Sequence, residues 1–147
     1  MAMQLTRAGE YAIKSLLYLA AQAADTRVMA SEVADSEGIP LNFVRKILEA
    51  LTKTGLVKSY RGAGGGFTLG RAPAQISVRQ VIEAIEGPLA LNQCLASHAC
   101  AQRPSCAMSP IWLEAQRAVE EVLERYSLAD VASARKTAAG SFTAESS

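Results

Sequence analysis

The residues with the strongest chemical signature are three cysteines that lie within thirteen residues of one another. Cys94, Cys100 and Cys106 are spaced C-x₅-C-x₅-C. Three thiolates on a flexible loop can bind a soft metal centre, because each spacer is long enough for the chain to turn back. An odd, clustered set is not typical of a disulfide scaffold, and the paired C-x₂-C motifs of structural zinc are absent from the sequence. The spacing therefore predicts metal ligation or redox sensing.

Three cysteines leave one coordination position open, and several groups can fill it. His98 is the only histidine and lies within the cysteine segment, residues 89–108, although a lone histidine is often a surface residue. Ser109 follows that segment, and it can equally cap the next helix. Glu10 is far away in sequence and needs a tertiary or dimer contact; its alternative is an i, i+4 ion pair with Lys14, worth about 0.2–0.5 kcal/mol. Water or a small thiol are further possibilities.

A second candidate site lies on a predicted helix from Leu41 to about Thr54, which ends at Gly55. Its core stripe comprises Val44, Ile47, Leu48 and Leu51, and the opposite face carries Asn42, Arg45, Lys46 and Glu49. In a DNA major groove, Asn42 can pair with adenine and Arg45 or Lys46 with guanine, each good bidentate contact giving about 1–3 kcal/mol of discrimination. The alternative is that these polar residues form an ordinary solvated face.

Two short β-prone runs, Leu56–Tyr60 and Gly66–Leu69, flank a glycine-rich tip that begins with Arg61. A thin tip containing Gly64 and Gly65 can approach phosphates, and the arginine can enter a narrow minor groove. A plain tight turn explains the glycines but not the arginine. A nucleotide-binding loop is disfavoured, because the glycines lead into a β-run and the P-loop lysine is missing. The hairpin is therefore predicted to bind DNA.

The elements that must position these residues are three helices followed by the hairpin, which is the order of a winged helix-turn-helix domain. A capping box at Ser77 opens a further helix to about Glu86, and Ser109-Pro110 starts a long helix to about Tyr126. The long helix carries a broad apolar stripe that we expect to pack against a symmetry mate: Ile111, Ala115, Ala118, Val119, Val122 and Leu123. The predicted fold class is mainly α with a small β-hairpin wing, plus a long dimerisation helix.

The predicted organisation has three parts. Residues 1–75 form the winged helix-turn-helix domain, residues 76–135 a linker helix, the cysteine segment and the dimerisation helix, and residues 136–147 a disordered tail. The net charge of the chain is only +1, but residues 41–71 carry six basic side chains against one acidic side chain. Basic charge concentrated in one stretch predicts an anionic partner that touches part of the surface.

The composition also disfavours other classes of protein. No charge-free run approaches the roughly 18–20 apolar residues that a membrane span requires, and the start of the chain lacks a signal-peptide pattern, so we expect a soluble cytoplasmic protein. An enzyme is disfavoured by the single histidine and by the lack of a nucleophile–base pair or a dinucleotide fingerprint. A pure electron-transfer protein needs no basic recognition helix. A cluster-free regulator that senses oxidants through disulfide formation stays open as an alternative.

Several of these motifs together resemble one family of regulators over roughly residues 3–130. They are Met3-Gln4-Leu5-Thr6, Glu10-Tyr11-Ala12, Gly38-Ile39-Pro40, Gly55-Leu56-Val57, the Arg61–Phe67 wing and the three spaced cysteines. The family is that of the iron–sulfur cluster regulators, whose branches include IscR, the nitric-oxide sensor NsrR and the iron-responsive RirA. The resemblance implies a homodimer that crosses long helices and binds a palindromic operator on double-stranded DNA.

The resemblance also implies that Cys94, Cys100 and Cys106 ligate a [2Fe–2S] or [4Fe–4S] cluster. IscR-type members place a histidine ligand three residues after the last cysteine, where this chain has Ser109. NsrR-like members use an acidic residue on the first helix of the partner subunit, and the matching residue here is Glu10. We therefore expect Glu10 of the other subunit as the fourth ligand, with His98 second. Oxidation, nitric oxide or iron shortage is expected to alter the cluster and so the DNA affinity.

Overall fold

The computed structural model describes residues 7–23, 25–89 and 107–145. Within these ranges, six helices, one short 3₁₀ turn and two strands follow in the order α1 (Arg7–Ala21), α2 (Ala30–Glu37), α3 (Leu41–Lys53), β1 (Val57–Tyr60), β2 (Gly66–Leu69), the 3₁₀ turn (Pro73–Gln75), α4 (Val78–Glu86), α5 (Ser109–Arg125) and α6 (Leu128–Glu145). The predicted fold class, mainly helical with a two-stranded wing, is confirmed.

The first three helices form because apolar residues recur at helical spacing and share one core. Leu16 of α1, Val33 of α2 and Leu48 of α3 are fully buried in the same cluster. Helix α1 lies at the centre and packs against α2, α3, α4 and α6. Ile76, on the far side of the domain boundary expected at residue 75, belongs to the same core, as does Leu128 of α6. Both expected domains thus contribute to one continuous core.

The two strands form an antiparallel hairpin whose register runs from the Val57–Leu69 pair to the Tyr60–Gly66 pair. The connection between α1 and α2 adds a short antiparallel bridge to β2. There the Val28 amide donates to the Phe67 carbonyl at 2.9 Å, and the Phe67 amide donates back at 2.8 Å. A Cβ atom on Gly66 would lie 2.9 Å from the Val28 carbonyl oxygen, which explains why glycine occupies this position.

Helix α4 begins at the predicted capping box, which is confirmed. The Gln80 amide donates to the Ser77 hydroxyl at 3.1 Å, and the Ser77 amide donates to the Gln80 side chain at 2.9 Å. Polar contacts then join α4 to α5. Arg79 donates to Glu83 at 2.8 Å, which raises the pKa of Arg79, and it also pairs with Glu120 of α5 at 3.4 Å.

Helix α5 buries none of its residues within this chain. Its predicted broad apolar stripe divides into two. Val119 and Leu123 are half-buried and adjoin Glu120 and Glu124, which contact Arg79 and Ser77 at the start of α4. Ile111 and Val122, in contrast, are 53% and 43% exposed, and Ala118 between them is exposed too.

Helix α6 begins with a second reciprocal cap, because the Ser127 amide donates to the Asp130 carboxylate and the Asp130 amide donates to the Ser127 hydroxyl. Residues from 136 onward are expected to form a disordered tail, whereas α6 runs to Glu145. Extending a helix that has already formed adds one hydrogen bond for each residue fixed, so the segment after Lys136 can continue it. None of the described helices is long and apolar enough to cross a membrane.

Candidate nucleic-acid interface

The turn between α2 and α3 sets the direction of the candidate recognition helix. Gly38 has φ 67°, a left-handed conformation that glycine adopts without steric cost, and its amide donates to the Ala34 carbonyl. Ile39 is buried in the core and fixes the turn to the domain. The Pro40 carbonyl then accepts from the amides of Phe43 and Val44, which begins α3.

Helix α3 separates a buried stripe from an exposed polar face, as the sequence predicts. The buried residues are Val44, Ile47, Leu48 and Leu51, none more than 3% exposed. The exposed residues are Asn42, Arg45, Lys46 and Glu49. The candidate DNA-reading residues Asn42, Arg45 and Lys46 therefore lie together in the N-terminal half of α3. This is the half that enters the major groove in helix-turn-helix proteins.

The charges on this face are arranged unevenly. Glu49 forms an i, i+4 ion pair with Lys53 at 3.7 Å, near the C-terminal end of α3. Arg45 and Lys46 form no ion pair within the described ranges. Their charges are therefore available to an external anion, which favours a binding face over a self-neutralised surface.

Phe43 is a candidate that the sequence-based reasoning missed. It is 42% exposed, next to Asn42, and its ring meets the Tyr11 ring edge-on with centroids 5.6 Å apart. An exposed aromatic side chain on this turn can contact a thymine methyl group. The available signal was an aromatic residue one position outside the core stripe of α3.

At the tip of the hairpin, Arg61 and Gly64 are exposed. The Gly65 amide donates to the Gly62 carbonyl at 2.9 Å, and a Cβ atom on Gly65 would lie 2.5 Å from the Tyr60 carbonyl oxygen. The turn thus requires both glycines, Gly65 for this close approach and Gly64 for its φ of 75°, and Gly64 also lies on the accessible side. That Arg61 and α3 contact the same DNA duplex stays a prediction.

Arg27, in the connection between α1 and α2, is a second residue that the sequence-based reasoning missed. Its Nη1 atom donates to the Gly64 carbonyl at 2.8 Å, and its guanidinium carbon lies 4.0 Å from the centroid of the Tyr60 ring. The contact joins residues 37 positions apart. No periodicity or motif connects these two loops, so only the folded chain brings them together.

The candidate metal ligands are only partly described. Cys94, Cys100, Cys106 and His98 lie outside the described residues, and those that are described contain no group of three or more potential metal ligands. Glu10 is exposed on the first turn of α1 and forms no ion pair, with Lys14 or otherwise, within the described chain. Ser109 is the first residue of α5, and Met108 occupies the cap position without a side-chain cap bond, so the expected Ser109 cap is not formed.

Comparison with known proteins identifies the family. Residues 5–134 match the Rrf2 family, described as an iron-dependent transcriptional regulator. The chain is 32% identical over 129 residues to a putative helix-turn-helix regulator of Azotobacter vinelandii, covering 88% of this chain and 79% of that protein. It is 30% identical over 129 residues to the regulator IscR of Aliivibrio salmonicida, covering 88% of this chain and 77% of that protein.

Two solved structures are similar along nearly the whole chain. CymR, the global cysteine regulator of B. subtilis, has a TM-score of 0.73 at 27% identity, covering 89% of this chain and 97% of that one. IscR of T. potens has a TM-score of 0.72 at 27% identity, covering 92% of this chain and 90% of that one. The chain therefore belongs to the Rrf2 family of DNA-binding transcription regulators.

Proposed function

We propose that the chain acts in the cytoplasm as a homodimer that binds a palindromic operator through α3 and the wing. The observation that carries this proposal is the exposed face of α3, where Arg45 and Lys46 lie beside Asn42 without an ion pair in the described chain. Arg61 at the wing tip adds a cation that suits the negative potential of a narrow minor groove. We assign base reading to the α3 residues and groove or phosphate contact to Arg61, with Gly64 and Gly65 forming the tip.

The exposed stripe of α5 supports the homodimer. Ile111, Ala115, Ala118 and Val122 follow one another at spacings of four, three and four residues, which places them on one face of the helix. An apolar seam of this kind is typical of helices that pack against each other, and a two-fold dimer would align two copies of α3 for two half-sites.

The DNA proposal is tested by selecting duplexes from a randomised pool with the purified protein and measuring affinity for the selected sequence. We expect a palindromic sequence, and Arg45→Ala should weaken binding by about 1–3 kcal/mol while relaxing specificity at one base pair in each half-site. Lys53→Ala, at the far end of the same helix, is the matched control. Equal losses for the two variants would contradict base reading by Arg45.

We further propose that an iron–sulfur cluster, [2Fe–2S] or [4Fe–4S], is held by Cys94, Cys100 and Cys106, with Glu10 of the partner subunit as the fourth ligand. The donor set fits, because thiolates are the usual ligands of such clusters and a carboxylate can complete the set. The accessible Glu10 carboxylate, without an ion pair in the described chain, supports the assignment in trans. His98 is the second choice for the fourth ligand.

A bound cluster would supply redox chemistry and sensitivity to nitric oxide or iron supply. The chain's own contribution is the connection between α4 and α5, which carries every cysteine. Ligation by these thiolates would hold the connection in one conformation, and α5 follows it directly. Release of the thiolates would free the start of α5 and so alter the distance between the two recognition helices.

The cluster proposal is tested by the visible absorption spectrum, with iron and acid-labile sulfide assays, of protein purified without oxygen. We expect a coloured protein that loses its absorption in Cys94→Ala, Cys100→Ala and Cys106→Ala, and that keeps it in Ser105→Ala, a control within the same segment. Glu10→Ala should change the spectrum or the stability of the chromophore; an unchanged protein would eliminate Glu10 as a ligand.

A second candidate function is thiol-based sensing without a cluster, which the placement of three cysteines within thirteen residues of one another also favours. In that case two of the three cysteines would form a disulfide, giving two electrons and two protons to an oxidant such as a peroxide, and DNA affinity would respond to thiol reagents. Protein that is colourless, and stays so after incubation with iron and sulfide, would support this candidate and leave the DNA-binding proposal intact.

A further inference from the structure

The wing is attached to the rest of the domain at two levels. Within the ladder, one pair before its turn end, Val28 and Phe67 exchange two backbone hydrogen bonds of 2.8–2.9 Å. At its tip, beyond the end of the ladder, the contact comes from Arg27, which donates to the Gly64 carbonyl at 2.8 Å. The same guanidinium lies over the ring of Tyr60, the last residue of β1, at 4.0 Å from the centroid.

These two contacts require a guanidinium in particular. Its planar face can stack on an aromatic ring while its in-plane N–H groups donate hydrogen bonds at the edge. A lysine ammonium can approach the ring or the carbonyl, but it cannot present a flat face to one and an N–H fork to the other. Arg27 thus joins the end of β1 to the far side of the turn. Arg61 lies along the chain between the two residues that Arg27 contacts, Tyr60 and Gly64.

The composition of the tip favours such a restraint. A two-stranded hairpin alone is only marginally stable in water, and glycines lose more conformational freedom than other residues when they are fixed. If the tip were ordered only when it met DNA, the entropy would be lost at that moment and the affinity reduced. A tip that is already held avoids that loss.

We propose that Arg27 is a positioning residue that holds the wing tip in place before DNA arrives, so that Arg61 is presented to the duplex. The inference rests on the proposed contact of Arg61 with DNA. Arg27 itself acts through the wing, because its guanidinium is engaged by Tyr60 and Gly64 rather than directed at a phosphate.

The first test needs no DNA. Trypsin cleaves after arginine, so the rate of cleavage at the Arg61–Gly62 bond, followed by mass spectrometry, reports how often the tip opens. Loss of one stacking contact and one hydrogen bond should raise this rate about tenfold in Arg27→Ala. Arg27→Lys should also raise it, although the charge is kept. An unchanged rate in both variants would overturn the proposed restraint.

The second test measures affinity for the duplex selected by the wild-type protein, in a double-mutant cycle of Arg27→Ala with Arg61→Ala. If Arg27 acts by presenting Arg61, Arg27→Ala should lower the DNA affinity about tenfold in the wild-type protein. The same substitution should change the affinity little in the Arg61→Ala variant. Additive losses, or full affinity in Arg27→Lys, would show that Arg27 contributes charge directly and would overturn the inference. Undiminished binding by Arg61→Ala would instead refute the wing contact itself, which is the underlying functional proposal.

Discussion

Helices α3 and α5 are both amphipathic, yet the chain treats their apolar faces in opposite ways. The stripe of α3 is enclosed by the core, with Leu48 and Leu51 fully buried. The stripe of α5 is left open, with Ile111 and Val122 about half exposed and no residue of the helix buried. The apolar face of α3 is therefore covered within its own subunit, and its polar face is exposed. Helix α5 still has an apolar face to cover.

The means by which each helix is held differs accordingly. Apolar burial fixes α3, whereas α5 is joined to α4 in part by polar contacts, such as Arg79 with Glu120 and Ser77 with Glu124. Hydrophobic burial contributes more to stability than half-exposed polar pairs of this kind. Helix α3 is therefore held by the core, whereas the open face of α5, which directly follows the cysteine segment, is left to the proposed partner subunit.

The largest expected effect comes from disrupting the stripe of α3. Leu48→Ala should lower the free energy of unfolding by about 2–5 kcal/mol, because it opens a cavity in a fully buried site. Urea unfolding followed by circular dichroism measures it. Ile111→Ala on α5 is the control. Its loss of stability should appear mainly as a change in the urea midpoint that depends on protein concentration. Similar, concentration-independent losses for both variants would remove the distinction between the helices.

Substitutions in the open face of α5 should affect folding less than Leu48→Ala does, and should affect dimer assembly more. Val122→Glu places a charge in the proposed seam and should weaken self-association by about 2–3 kcal/mol, roughly a hundredfold in the dissociation constant. Sedimentation equilibrium measures this change. Arg117→Glu changes charge at another exposed position of the same helix and should leave the dimer intact. A dimer that tolerates Val122→Glu would mean that the open face of α5 has another purpose.

Sequence patterns predicted α3 and α5 unequally well. The period of the apolar residues and the capping box at Ser77 were sufficient to place the helices concerned, since capping and periodicity are local properties. Periodicity could not show that the stripe of α5 divides into a face toward α4 and an open face, because that depends on what packs against it. The Arg27 contact with Gly64 was missed for the same reason, as it joins two loops that are distant in sequence.

The extent of α6 also depends on tertiary packing. The polar and small residues after Lys136 resemble a disordered tail in composition, yet the helix continues through them. Arg135, one residue earlier, pairs with Glu37 of α2 at 2.7 Å, an anchor that follows from tertiary packing rather than from local composition. Once this turn is fixed to α2, extension of the helix no longer requires a new nucleus.

An intermediate effect is expected at the junction that holds α5 in place. Ser77→Ala removes the cap of α4 and the 3.3 Å contact with Glu124, and it should cost about 1 kcal/mol of folding free energy. Ser77→Thr keeps a hydroxyl and should recover most of the loss. Thermal unfolding of the two variants, compared at equal concentration, measures the difference; an equal loss in both would point to packing at this buried site rather than to capping.

The smallest expected effect on folding comes from the lysines of α3. Comparing Lys46 with Lys53 distinguishes the N-terminal end of the helix from its C-terminal end. The Glu49–Lys53 pair is exposed, so Lys53→Ala should change the folding free energy by no more than about 0.5 kcal/mol. Lys46→Ala should be equally mild for folding, because that side chain has no ion pair in the described chain, but it should weaken DNA binding clearly more than Lys53→Ala does. Matched unfolding and DNA-titration curves for the two lysines measure both quantities. If both variants bind DNA equally, the basic charge of α3 acts as a diffuse field, and the recognition surface extends beyond its N-terminal half.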